Sequence, residues 1–149
     1  MAELIIEGSR SLNGEITIQG AKNSILPILA ACIMCKDECI IHNCPHISDV
    51  QVSIKVLNYL GCKTEFEGNT LVVNSKDISK NDIPDFLMRE MRSSIIFLGA
   101  LVSVMNKAKL SLPGGCELGP RPIDLHLDGL RQMGLIVNES HGALECETN

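Results

Sequence analysis

Lys22-Asn23-Ser24-Ile25-Leu26 and Arg92-Ser93-Ser94-Ile95-Ile96 stand 70 residues apart and align position by position. In this register Ser24, Ile25 and Ala30 fall on Ser94, Ile95 and Ala100. Further along the offset becomes 73: Leu57, Gly61 and Leu71 fall on Leu130, Gly134 and Leu144, with Leu60 on Met133. The identities are few. The order of elements is the stronger sign of a repeated supersecondary unit, because both copies share it.

Each copy opens with a cation and then a helix that is apolar nearly all round, residues 24–35 in the first and 93–105 in the second. Such helices are buried on most sides. A short strand follows, 39–42 and then 109–112, and after a turn-rich loop a second helix. In copy one this helix begins at Ser48-Asp49-Val50-Gln51, which reads as a capping box. In copy two it begins at Arg121-Pro122, with Pro in the first helical position. Gly61 and Gly134 stand where a helix-terminating glycine belongs. A hairpin closes each copy: 63–67 with 70–74 around Gly68-Asn69, and 135–139 with 143–147 around His141-Gly142. With a strand at 15–19 the unit is β-α-β-α-β-β. Residues 81–90 link the copies, broken at Pro84.

Composition narrows the functional classes. The 149 residues are enough for one substantial core. Aromatics are scarce, with no Trp, so aliphatic side chains do the packing. A net charge of -5 and few stacking rings argue against a general nucleic-acid binder. The apolar runs 25–34 and 95–105 fall short of the roughly 20 residues that span a bilayer. The amino terminus lacks the basic lead and long apolar core of a signal peptide. Seven cysteines without disulfide spacing fit a reducing compartment, and the expectation is a cytoplasmic protein.

Lys22, Arg92 and Arg121 each stand at the start of an expected helix, where the partial positive charge of free N–H groups disfavours a cation. Each is either solvated surface charge or part of an anion site for phosphate or carboxylate. The copies differ in length at Leu112-Pro113-Gly114-Gly115-Cys116-Glu117-Leu118-Gly119-Pro120. Tandem glycines let a loop move and approach a ligand. A guanidinium near Cys116 would raise its thiolate fraction. Cys116 is therefore a candidate reactive group, with a tolerated surface insertion as the alternative. Asp124 can accept a hydrogen bond from a sugar or base, or cap its helix. His126 reads equally as a contact or as helix surface. Cys32, Cys35, Cys39 and Cys44 approach metal-site spacing with His42 and His46, but no matching second pair follows, and they read as small core residues, like Cys62 and Cys146. No Walker loop or dinucleotide fingerprint is present.

Gly20-Ala21-Lys22-Asn23, Met91-Arg92-Ser93-Ser94 and above all Pro113-Gly114-Gly115-Cys116-Glu117-Leu118-Gly119-Pro120-Arg121-Pro122-Ile123-Asp124-Leu125-His126 resemble the UDP-N-acetylglucosamine 1-carboxyvinyltransferases, along the whole chain. The resemblance implies an α+β fold, an alpha-beta prism or inside-out α/β barrel of repeated β-α-β-α-β-β units, with two repeats here. Residues 1–21 would be strands belonging to a second domain, and 22–149 an incomplete catalytic domain with repeats 22–80 and 92–149.

The implied reaction moves the enolpyruvyl group of phosphoenolpyruvate to the 3'-hydroxyl of UDP-N-acetylglucosamine, the committed step of peptidoglycan synthesis. By resemblance Lys22 and Asn23 contact phosphoenolpyruvate. Arg92, Arg121, Pro122, Ile123, Asp124 and Leu125 contact UDP-N-acetylglucosamine. Cys116 is the general acid on a mobile loop and the target of fosfomycin. No metal, cofactor, nucleic acid or membrane is implied; the partners are the two small-molecule substrates. The family's further catalytic residues lie beyond Asn149, so the chain alone is expected to be inactive and to expose apolar surface where a third unit would pack. A 5-enolpyruvylshikimate-3-phosphate synthase-like transferase and a non-catalytic anion- or nucleotide-binding module are the alternatives.

Overall fold

The first copy is built from one apolar helix, one amphipathic helix and a hairpin. The computed structural model describes residues 3–8, 11, 13–111, 122–140 and 142–148, with the backbone alone for Arg92. Helix α1 (Lys22–Cys35) buries Ile25, Leu26, Leu29, Ala30, Cys32 and Ile33. It stops at Lys36, which adopts a left-handed φ of 51°. The Asp37 carboxylate then accepts the Glu38 N–H at 2.7 Å and leads into β1 (Glu38–Ile41). Helix α2 (Ser48–Leu60) buries Val50, Val52, Val56, Leu57 and Leu60, a helical spacing. The hairpin β2 (Lys63–Glu67) and β3 (Thr70–Asn74) has the expected bounds, with Phe66 opposite Leu71. The sheet order is β1-β3-β2, all antiparallel.

The second copy repeats this order with additions. β4 (Asp82–Ile83) and α3 (Asp85–Glu90) lie in the stretch expected to be a linker. Pro84 stands at the N-cap of α3, and Asp85 accepts from Arg89 one turn later at 2.6 Å. The expected helix over 93–105 divides into a 3-10 segment, Arg92–Ile96, and α4 (Phe97–Met105). Next come β5 (Lys107–Ser111), α5 (Asp124–Gln132), β6 (Leu135–Ser140) and β7 (Ala143–Thr148). His141, in the expected turn, lies outside the described residues. The sheet order is β4-β5-β7-β6, with β4 parallel to β5.

The helices pack inside and the sheets face out. α1 lies against α2 and α4, and α4 against β5 and β7. Along β5 and β7 the buried residues Ala108, Leu110, Leu144 and Cys146 alternate with outward Lys107, Lys109, Glu145 and Glu147. Helix α2 ties the copies together. Tyr59 donates to Asp82 of β4 at 2.8 Å, and Lys55 pairs with Glu90 of α3 at 2.7 Å.

Four expectations are corrected. Residues 15–19 join no sheet; Ile16 and Ile18 are exposed, and without a partner strand their alternation has nothing to bury against. The capping box does not form, because Ser48 already lies inside α2, whose N-cap is Ile47. Pro122 precedes α5 by two positions and is not its first residue, Ile123 being the N-cap. Helix α1 is not buried on most sides: Pro27, Ile28, Ala31 and Met34 form an exposed stripe opposite the face that meets α2 and α4.

Gly61 and Gly134 occupy equivalent repeat positions with φ of 105° and 94°. A Cβ on Gly61 would fall 2.7 Å from the Asp77 carbonyl oxygen, whereas one on Gly134 would meet nothing within 4 Å. Both alanine variants carry the cost of a left-handed non-glycine residue, about 1–3 kcal/mol. Gly61→Ala is expected to cost more, because backbone at Asp77 must also move. Urea midpoints of the two variants check this; equal shifts would contradict it.

Candidate functional site

Lys22 and Asn23 are the first two residues of α1, whose N-cap, Ala21, offers no side-chain acceptor. Ser24 and Ile25 donate to the Ala21 carbonyl, at 3.1 and 3.0 Å, which leaves the N–H groups of Lys22 and Asn23 as the helix-start donors without an intrahelical partner. Pro27, inside the helix, has no N–H for the Asn23 carbonyl. The α1 start therefore presents backbone donors, a backbone acceptor and an ammonium group together.

That ammonium is already paired. Lys22 forms an ion pair with Asp49, in the first turn of α2. Asp49 is only 19% exposed, Lys22 52%. The carboxylate suits the α2 start, where partial positive charge favours an anion. It also offsets the unfavourable placing of Lys22 at the α1 start, so the chain's own carboxylate fills the place that sequence reasoning left to a bound anion. Sequence reasoning gave Asp49 only a capping role; its partner lies 27 residues upstream, and no local pattern announces the pair. Asp49→Asn is expected to lower stability by no more than about 1 kcal/mol, since half-exposed ion pairs contribute little. A denaturant titration reads this, and a larger loss would make the pair structural.

Around the second copy, the 3-10 segment and the start of α5 share a cavity. Ile95, from the 3-10 segment opened by Arg92, and Pro122, Ile123, Asp124, Leu125 and His126 line a space of about 330 Å³. Asp124 is the first residue of α5, and Leu125, 89% exposed, points away from the core. The structure thus brings Pro122, Ile123, Asp124 and Leu125 together with Ile95, a wall residue that sequence reasoning missed. Helix α1 packs against the same 3-10 segment. Cys116 and Arg121 lie outside the described residues, as does the Arg92 side chain.

Of the remaining thiols, Cys32, Cys44, Cys62 and Cys146 are buried. Burial pushes the Cys62 thiol up to about 11 and raises Cys44 and Cys146 as well, so these groups stay protonated and pack as apolar residues. Cys62 sits just before β2, not within a strand.

The sequence profile of the EPSP synthase family (3-phosphoshikimate 1-carboxyvinyltransferase) matches residues 6–148. The chain belongs to this family of enolpyruvyl transferases.

Among curated members it is 49% identical over 147 residues to UDP-N-acetylglucosamine 1-carboxyvinyltransferase 2 of Caldanaerobacter subterraneus subsp. tengcongensis, covering 99% of this chain and 35% of that protein. It is 45% identical to UDP-N-acetylglucosamine 1-carboxyvinyltransferase of Pseudothermotoga lettingae, with the same coverage. The Methylacidiphilum infernorum enzyme of that name is 46% identical over 134 residues, covering 90% of this chain and 32% of that protein. The chain therefore spans about a third of the length of these relatives. The enolpyruvyl transferase NikO from Streptomyces tendae has the same fold, with a TM-score of 0.79 at 23% identity over 93% of this chain and 30% of its own. The enolpyruvyl transferase fold accounts for helices inside and sheets outside.

Proposed function

We propose that the chain is the amino-terminal part of an enzyme that transfers the enolpyruvyl group of phosphoenolpyruvate to the 3'-hydroxyl of UDP-N-acetylglucosamine, releasing phosphate, as the committed step of peptidoglycan synthesis. The observation that carries this reading is identity of 41–49% along 99–98% of the chain to relatives bearing that name. Residues 1–21 are assigned to the second domain of the whole enzyme and 22–149 to its catalytic domain.

In this reading Lys22 and Asn23 hold phosphoenolpyruvate. The ammonium exchanges its Asp49 contact for the donor's phosphate or carboxylate, and the free N–H groups at the α1 start reinforce it. Arg92, Arg121 and the run Pro122-Ile123-Asp124-Leu125 hold the UDP-sugar, with Asp124 accepting a hydrogen bond. Cys116 delivers a proton to the methylene carbon of the enol as the sugar oxygen attacks its neighbour. Fixed cations stabilise the anionic centres most when closure of the loop excludes water. Among the described residues no helix is long and apolar enough to cross a membrane. We assign the enzyme to the cytoplasm because phosphoenolpyruvate and the UDP-sugar are made there.

The family profile also embraces 5-enolpyruvylshikimate-3-phosphate synthases, which share the donor and favour shikimate 3-phosphate as acceptor. One assay separates the two. The protein encoded by the whole reading frame is given phosphoenolpyruvate with either acceptor, and phosphate release is followed. Release with the UDP-sugar alone is expected; release with shikimate 3-phosphate alone would overturn the assignment.

A further inference from the structure

The backbone fixes where the Asp49 carboxylate stands. A Cβ on Gly20 would fall 2.3 Å from the Asn43 carbonyl oxygen and 3.1 Å from Pro45 Cδ, so the loop that leads into α2 lies directly on the chain that leads into α1. Cys44 donates its N–H to the Asn69 carbonyl at 2.8 Å, and His46 donates to the Gly68 carbonyl at 2.6 Å and stacks on Phe66, which anchors that loop to the first hairpin. On the other side the buried Ser53 hydroxyl donates to the Asp49 carbonyl at 2.9 Å and lies 3.6 Å from the sulfur of Met91, the residue before Arg92. The α2 start is thus held between the α1 start and the 3-10 segment by contacts that do not involve the Asp49 carboxylate. Among the described residues that carboxylate has one ionic partner, Lys22, and one further contact, the Ser48 hydroxyl at 3.4 Å.

Building on the reading that Lys22 holds phosphoenolpyruvate, we propose that Asp49 is an internal counter-ion of the donor site: its carboxylate holds Lys22 in the empty protein, gives it up to the incoming anion, and so weakens the binding of any anion that takes its place.

The direction follows from charge and reach. Lys22 carries its ammonium on a flexible four-carbon stem and can swing to a ligand. Asp49 has a short side chain on a fixed turn and cannot follow. Once the ammonium turns away, the carboxylate keeps only the partial positive charge of the α2 start and the Ser48 hydroxyl, and it stands close to a second anion. Both effects oppose binding, and both vanish when the charge is removed. The entropy lost in ordering Lys22 does not reverse this, because a bound anion orders that side chain with or without Asp49. By reciprocity, the stability that Asp49→Asn removes from the empty protein reappears as anion affinity. For a half-exposed ion pair this corresponds to about 2- to 5-fold.

The test uses the protein encoded by the whole reading frame, titrated calorimetrically with phosphoenolpyruvate and separately with inorganic phosphate, with no acceptor present. Asp49→Asn is expected to bind both anions more tightly by that factor. Asp49→Glu, which keeps the charge, is expected to retain the unsubstituted affinities. A damaged site would bind more weakly, so tightening cannot come from local unfolding. Unchanged or weaker binding of both anions by Asp49→Asn, tightening for only one of them, equal tightening by Asp49→Glu, or an unsubstituted enzyme that binds neither anion would each overturn the proposal. The acceptor assay separates this from the enolpyruvyl transfer reading. Phosphate release with the UDP-sugar by an enzyme whose anion affinities ignore Asp49 would remove the counter-ion role and leave the reaction standing. Tightened binding in an enzyme that uses only shikimate 3-phosphate would do the reverse.

Discussion

Phe97→Ala is expected to destabilise the fold by about 3–5 kcal/mol, the range for deleting a fully buried aromatic side chain. Phe97 has no exposed surface and is the largest of the fully buried side chains. It stands where the 3-10 segment passes into α4, and its N–H is held by the carbonyls of Ser94 and Ile95. Helix α4 meets α1, β5 and β7, so the cavity would open between the two copies as well as beneath the second sheet. Against a total stability of about 5–15 kcal/mol, this is a large share of the whole. Phe86→Ala makes the same chemical change at a position 62% exposed on α3, and is expected to cost no more than about 0.5 kcal/mol. Urea midpoints of the two variants provide the check. Equal shifts would mean that the buried positions of α4 do not hold the copies together.

Local pattern accounts for much of the fold. The first hairpin is legible because Gly68 adopts a positive φ of 53°, which a tight turn requires, between two alternating runs. Gly61 ends α2 for the same reason of backbone freedom. The two copies could be aligned because Leu57 and Leu130, or Leu71 and Leu144, fill equivalent buried places.

What sequence reasoning missed depends on partners distant along the chain. β4 is two residues long and exists through its parallel pairing with β5, 27 residues later. The division of the second apolar helix follows from packing as well: Ser94 is fully buried and donates to the Met88 carbonyl at 3.2 Å, holding the tighter turn against the end of α3. The alternation of Ile16 and Ile18 predicts a face to bury and is silent on what buries it. Helix α3 did carry local signals, Pro84 at the N-cap and the Asp85–Arg89 pair one turn apart, and reading Pro84 only as a break concealed them. In the site, residue types and helix starts pointed to Lys22, whereas the Asp49 contact that sets its resting position joins separate helices.

In the protein encoded by the whole reading frame, Cys116→Ser is expected to lower turnover by about 10²–10⁴-fold, the contribution typical of a positioned general acid. Serine keeps the size of the side chain and nearly its shape, so substrate binding should persist. Its hydroxyl is too weak an acid to protonate the enol carbon near neutral pH, which places the loss in kcat more than in KM. Alkylation by fosfomycin should vanish with the thiol. Cys116→Asp separates the two properties of the residue. A carboxylic acid can still deliver a proton, so part of the turnover should return, with an optimum moved toward acid because Asp must be protonated to serve and its ordinary pKa lies well below that of a thiol. It offers no sulfur, so alkylation stays lost. Steady-state rates across pH and the mass of the inhibitor-treated protein read both effects. If Cys116→Ser turned over as fast as the unsubstituted enzyme, the proton would have to come from another group, and the glycine-rich insertion that distinguishes the second copy from the first would lose its chemical reason for existing.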